Sequence, residues 1–225
     1  MPVHPESTLK ATCVFPSPDE RERAERVENW HQSGFYRRHI EALQTGPLAW
    51  PRPDLHTKAA ETLAASGFVV LLGPRGVGKT QMACELALIL SLRFGWAPMY
   101  LRLSDYFEQL KALFGANTNA AQPSSPGNPR RRASNAALLV LDEAQERYES
   151  QFEGHELTRL IDSRYGQKRA TIIVANLKPG ELSRSLGPSI ASRLQEVGLI
   201  VECEWPSYRE RQMQGAANNQ AEGGR

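Results

Sequence analysis

The sequence predicts an α/β fold with a mainly parallel sheet covered by helices on both faces, and three observations carry that expectation. Short apolar runs of strand length alternate with stretches of helical periodicity. The strand-like runs are apolar throughout instead of alternating with polar residues, as expected of strands buried on both faces. A glycine-rich turn joins the first of these runs to a long apolar helix. At 225 residues the chain has room for one full α/β domain.

The elements follow in order. Residues 1–20 are rich in proline and polar residues and read as a mobile tail. "DERERAERVENWHQ" (19–32) is a charged helix with little apolar face, expected to pack weakly or to need a partner. "TGPLAWPRPDL" (45–55) holds three prolines and reads as an extended linker. "TKAAETLAAS" (57–66) is a helix ended by Gly67. Strands are predicted at 68–72, 99–103, 137–141, 171–175 and 199–205. Between them lie helices at 79–94, 104–114 with Ser104 as N-cap, 155–165, 179–186 and 189–197. Residues 115–135 lack periodicity, are full of Gly, Pro, Ser and Asn, and read as a loop whose "RRR" is either solvated or in reach of DNA.

Directly after the first strand stands "GPRGVGKT" (73–80), which fits G-x-x-x-x-G-K-[ST] between a strand and a helix. Glycines let backbone N–H groups turn inward around phosphate oxygens, and the following helix aims its positive end at the anion. The nucleotide-binding candidates are Gly73, Pro74, Arg75, Gly76, Val77, Gly78, Lys79, Thr80 and Gln81. Lys79 supplies a point charge for the β/γ-phosphates and Thr80 a hydroxyl for magnesium.

"LLVLDEAQ" (138–145) is an apolar strand that ends in two acids. In P-loop proteins the acid ending a neighbouring strand holds magnesium, which assigns Asp142. Glu143, one residue later, is placed to orient and deprotonate an attacking water, while Ala144 and Gln145 read as the turn beyond. Asn176, at the tip of the strand "TIIVA", is a candidate to bond the γ-phosphate or that water, although Asn is also a common turn residue. The expected cofactors are therefore ATP and Mg2+.

Several classes are excluded or disfavoured. No apolar run approaches the roughly 20 residues that span a bilayer, and the N-terminus lacks a secretory core, so no membrane partner and a cytoplasmic location are expected. The three cysteines hold no CxxC pair, against a disulfide framework or a cysteine-rich zinc site. A D-E-A-Q helicase needs a second RecA-like domain, for which the chain has no room.

Taken together, "GPRGVGKT", "LLVLDEAQ", "ELTRLIDSRYGQKRATIIVANL" and "SIASRLQE" resemble the AAA+ ATPases, in particular the DnaC-like and IstB-like clade, over residues 60–209. The ending "CEWPSYRERQ" is similar to phage and prophage members. The resemblance implies Walker A roles for Lys79 and Thr80, Walker B roles for Asp142 and Glu143, and sensor 1 for Asn176. It further implies that Arg193 is an arginine finger acting in trans within a homo-oligomer, with Arg164 a second candidate to face a neighbour's nucleotide. Only about 20 residues follow the fifth strand, so no C-terminal helical lid is expected. The organisation implied is an N-terminal partner-binding or flexible region (1–56), an AAA+ ATPase domain (57–209) and a disordered tail (210–225).

The functional expectation is a helicase loader: an ATPase that binds the replicative DNA helicase through its N-terminal region and places it on single-stranded DNA. Trp30, Phe35 and Tyr36 beside Arg37 and Arg38 are read as a partner surface, a DNA stacking patch, or simple packing against the core. The alternative is an IstB-like transposition helper that binds duplex DNA and a transposase. A non-hydrolysing nucleotide-binding adaptor is disfavoured by Glu143 and Arg193.

Overall fold

The structure, a computed structural model, describes residues 20–44, 49–115, 125–145 and 151–207. The expected tails at 1–20, except Glu20, and at 210–225, and with the latter the expected lack of a lid, lie outside the described residues, as do 45–48, 116–124, 146–150 and 208–209.

The apolar runs form five strands: β1 (Phe68–Leu72), β2 (Pro98–Arg102), β3 (Leu138–Asp142), β4 (Ala170–Ala175) and β5 (Gly198–Glu202). All pair in parallel, in the order β2-β3-β4-β1-β5. Alternate side chains go to opposite faces, so Val69, Leu71, Val140 and Ile172 enter one core while Val70, Leu72, Leu141 and Ile173 enter another. Helices must cover both faces, because each strand loses its apolar area from water on both sides.

The helices are α1 (Glu20–Val27), α2 (Arg37–Gln44), α3 (Pro53–Ala64), α4 (Lys79–Phe94), α5 (Leu103–Gly115), α6 (Pro129–Asn135), α7 (Gln151–Gly166), α8 (Leu182–Leu186) and α9 (Pro188–Val197). The first four share a core with one face of the sheet; the other face packs against side chains of α5 to α9. The long α4 starts at the glycine-rich turn and stops at Gly95, whose left-handed φ of 67° ends the helix.

Five expectations are revised. The acid strand β3 is not the neighbour of β1, because β4 is inserted between them. The supposed linker is shorter, since α3 begins at Pro53, a residue suited to a first helical turn. Helix α5 begins at Leu103, so Ser104 lies inside its first turn and does not cap it. The arginine run is helical: the Asn128 side chain accepts from Arg130 N at 3.0 Å, capping α6 with Pro129 following it. What reads as loop chemistry, Asn then Pro, is equally a helix start.

The fifth revision concerns the charged N-terminal helix, which does pack. Its Val27 is buried, and Arg23, 1% exposed, donates to Leu43 O at 2.9 Å and lies 3.5 Å from Glu85 of α4. Glu85 also accepts from Trp50 Nε1 at 2.8 Å. A short 3-10 turn (Trp30–Ser33) then leads into α2, and Trp30 and Phe35 are buried in the core beneath it, while Tyr36 stays exposed. Of the three readings of this aromatic group, packing holds for Trp30 and Phe35.

Arg164 is likewise a structural residue and faces no neighbour. Fully buried, its guanidinium donates to Ala133 O (2.7 Å), Ala136 O (2.9 Å), Ala170 O (2.6 Å) and Thr171 Oγ1 (2.8 Å). It ties the end of α6 to α7 and to the start of β4. Burial pulls it down to about 9. Arg164→Ala strands several buried acceptors and is expected to cost about 3–5 kcal/mol, read from denaturant midpoints. Arg164→Lys should recover little of that loss, because an ammonium lacks the planar fork.

Stability should also fall with acid. Burial pushes His39, then helped by Arg38 and opposed by Asp142, and His56 down to about 4, from 6.5. Both imidazoles are neutral in the folded protein, whereas the unfolded chain takes up protons at 6.5. Their contribution is therefore fully present above 6.5 and is lost as pH falls from 6.5 to about 4, by up to about 1.4 kcal/mol per pH unit for each group. Thermal melts should show a smaller acid loss for the variant carrying His39→Phe and His56→Phe than for wild type.

Candidate functional site

Parallel pairing sets Leu72, Ala175 and Asp142 together at the C-terminal ends of the central strands, so the chain leaves β1, β4 and β3 side by side. The glycine-rich turn starts there. Gly73 has φ 139°, and a Cβ on it would lie 2.6 Å from Cys203 O, so the loop needs glycine at this point. The chain after β5 braces the turn: Cys203 N donates to Leu72 O (2.7 Å), Trp205 Nε1 to Val77 O (2.9 Å) and Ser207 Oγ to Gly76 O (3.3 Å).

Lys79 opens α4, with its ammonium donating to Gly73 O (2.8 Å), Pro74 O (2.6 Å) and Asn176 Oδ1 (2.8 Å). These bonds use all three of its donors. Burial holds this lysine below the ordinary ammonium range. Asn176, 97 positions further along the chain, thus meets the P-loop directly.

The acids are equally held. Asp142 is 6% exposed; its Oδ2 accepts from Thr80 Oγ1 (2.9 Å) and from the Tyr100 hydroxyl (2.6 Å), and its Oδ1 from the Glu143 amide (2.8 Å). Glu143 has a left-handed φ of 57°, a strained conformation for this residue type. That bend turns its carboxylate to Arg102, which grips Oε2 through Nε (2.7 Å) and through a second guanidinium nitrogen. Glu143 and then Tyr36, as hydrogen-bond partners, hold Arg102 above the ordinary guanidinium range. Beyond the acids, Ala144 N donates to Val174 O (3.0 Å), and Gln145 Oε1 accepts from Asn176 N (2.9 Å). Gln145 is therefore more than a turn residue, because it fixes the tip of β4.

These groups share one cavity of about 990 Å3, at the upper end of ordinary small-ligand pockets. Of the expected nucleotide residues, Arg75, Gly76, Gly78, Lys79, Thr80 and Gln81 line it, with Asp142, Glu143 and Asn176. Gly73 and Pro74 shape the loop through carbonyls that accept from Lys79, and Val77 through its carbonyl to Trp205. Arg193 does not line it: on α9 it bonds Ser189 O (2.9 Å) and pairs with Asp162 of α7 (3.0 Å).

The donors suit a magnesium nucleotide. Mg2+ takes oxygen ligands and is usually held by one or two carboxylates plus substrate phosphates. The Thr80 hydroxyl and Asp142 carboxylate, 2.9 Å apart, are such a pair, and among the described residues no cluster of three or more His, Cys, Asp or Glu offers an all-protein cage.

Sequence reasoning missed Tyr100, Arg102 and Gln145, and also Tyr36, Arg38, His39 and Trp50, which line the cavity. One signal was present: Arg102 is a charged residue ending an otherwise apolar strand, the same pattern that singled out Asp142.

Comparison with known proteins places this geometry in a family. The sequence profile of the IstB-like ATP binding proteins matches residues 53–216. The replicative helicase loader DnaC of Buchnera aphidicola (strain Bp) is 27% identical over 143 residues, 63% of this chain and 56% of the relative. DnaC of Escherichia coli K12 is 28% identical with the same coverage, so the chain spans little more than half the length of these relatives. The fold is shared with a crystal structure of the DnaC helicase loader (TM-score 0.62, 19% identity, 74% of this chain and 99% of that one). It is shared also with domain III of the Thermotoga maritima replication initiation protein DnaA (TM-score 0.59, 16% identity, 93% and 78%). With an AAA+ P-loop sheet, its nucleotide-sized cavity and a family match over most of its length, the chain belongs to the IstB-like ATP-binding proteins.

Proposed function

We propose that the chain is an ATP-hydrolysing helicase loader, which binds a replicative DNA helicase and places it on single-stranded DNA. The observation that carries the ATPase part is the meeting of Lys79, Thr80, Asp142, Glu143 and Asn176 in one cavity. The loader part is supported by the DnaC relatives, all named replicative helicase loaders.

In this reading Lys79 gives up its loop carbonyls for the β/γ-phosphates while Thr80 and Asp142 hold the magnesium ion. The ion neutralises phosphate charge when bound. Asn176 leaves Lys79 to bond the γ-phosphate or the attacking water, with its backbone fixed by Gln145. Glu143 accepts a proton from that water, and Arg102, which holds its Oε2, restrains where the carboxylate points. Arg193 reaches the γ-phosphate held by the next subunit of a homo-oligomer, so that turnover depends on assembly. For DNA, the second cavity of about 290 Å3 is lined by Arg131, Arg159 and Ser163, residue types suited to phosphate oxygens. Arg130 there is committed to Glu156 (2.7 and 3.0 Å).

A transposition helper remains the second reading, favoured by the IstB-like profile itself. Co-purification with a replicative helicase and ATP-dependent loading on single strands support the loader; ATP-dependent assembly on duplex DNA with a transposase supports the helper.

Glu143→Gln should lower ATP turnover by about 10²–10⁴-fold while nucleotide binding persists, measured by phosphate release and by a fluorescent ATP analogue. Unchanged turnover would remove Glu143 as the base. Arg102→Ala should release Glu143 and raise basal turnover several-fold at unchanged nucleotide affinity. A fall in turnover would mean that Arg102 assists the reaction instead of restraining it.

A further inference from the structure

Tyr100 belongs to no motif of the P-loop, yet it is the most deeply buried contact of the metal-holding carboxylate. The residue is 3% exposed, and its hydroxyl donates to Asp142 Oδ2 at 2.6 Å. A carboxylate offers about four acceptor sites. The Glu143 amide takes one on Oδ1, at 2.8 Å, while Thr80 and Tyr100 both take Oδ2, at 2.9 and 2.6 Å. The Thr80 bond is the one that must open when both groups turn to a cation. The amide and the phenol are then what keep the carboxylate from rotating.

Tyr100 is itself held by one short segment. Phe35 (5.5 Å), Tyr36 (5.6 Å) and His39 (5.9 Å) place their rings around it, measured between centroids. Gly34, at φ 91°, lays its backbone on the same residue: a Cβ there would be 2.2 Å from Tyr100 O. The segment therefore docks on β2 at the residue that touches Asp142. Parallel pairing puts Arg102 opposite Asp142 and Tyr100 opposite Val140, so Tyr100, Arg102 and Asp142 share one face of the sheet.

We propose that Tyr100 is a positioning residue that sets the magnesium affinity of the nucleotide site by holding the Asp142 carboxylate, and that the Gly34–His39 segment in turn holds Tyr100. The proposal rests on the reading of Asp142 as a magnesium ligand. Partners that fix the outer side of a metal-holding carboxylate are typically worth 10–100-fold in metal affinity.

The test is Tyr100→Phe in the full chain, which removes one oxygen and keeps the ring. Binding of a fluorescent ATP analogue is titrated with Mg2+, and binding in EDTA is measured beside it. The magnesium needed for half-maximal tightening should rise about tenfold, with EDTA binding and melting temperature close to wild type. Phe35→Leu, which loosens the ring contact and leaves the phenol in place, should move the magnesium midpoint the same way by a few-fold. An unchanged midpoint in Tyr100→Phe, with a wild type that does respond to magnesium, overturns the role of Tyr100 alone. A shifted Tyr100→Phe beside an unshifted Phe35→Leu overturns the role of the segment. A wild type whose analogue binding ignores magnesium overturns the reading of Asp142 and this proposal with it.

Discussion

Parallel pairing in register is the constraint on which the cavity depends. The ladder sets Leu72 opposite Ala175, Leu141 opposite Ile173 and Arg102 opposite Asp142, so that Gly73, Asn176 and Glu143 leave the sheet within one residue of the same height. The side-chain period of a strand is two, so a slip of β3 by one residue would send Asp142 to the opposite face, away from Thr80. The register is specified strongly because both faces of each central strand are buried: a one-residue slip would exchange the two cores. Apolar packing on two sides thus fixes the position of a polar site to which it contributes little beyond Tyr100 and Val174.

Within that frame the charged groups of the cavity restrain one another. Lys79 is held by two carbonyls and Asn176, Asp142 by Thr80, Tyr100 and an amide, and Glu143 by Arg102. Half-buried charge is tolerable only with partners. The same partners make the site switchable, because each group acts on a ligand by exchanging one bond for another. The left-handed turn at Glu143 is a strained element of the cavity, and it is what separates the two adjacent acids into different surroundings.

The N-terminal part shows where one-dimensional patterns lose information. Counting apolar residues in "DERERAERVENWHQ" yields a weak helix, since Arg23 and Glu28 count alike as polar. In three dimensions Arg23 is buried, with Leu43 O as acceptor and Glu85 as counter-charge, and Glu85 also anchors Trp50. A polar residue whose partners lie 20 and 62 positions away carries no local mark of being interior. The arginines repeat the lesson: Arg164 and Arg193 look alike in sequence, but one is a buried tie among backbone carbonyls and the other a half-buried surface residue on α9.

By itself the sequence determined what short-range chemistry decides: the apolar runs as strands, each starting within a residue of its place although β5 ends three residues early, the glycine turn leading into a helix, and the acids at a strand end. It carried the P-loop residues, Asp142, Glu143 and Asn176 for the same reason, since each sits at a strand end where polarity changes abruptly. Tertiary structure alone decided the strand order, with β4 between β1 and β3, because pairing partners lie far apart in the chain. It alone brought Tyr100, Arg102 and Gln145 onto Asp142, Glu143 and Asn176, and it alone set the N-terminal rings around Tyr100. Hydrogen bonds between distant strands depend on register and face, and those exist only once the sheet has formed.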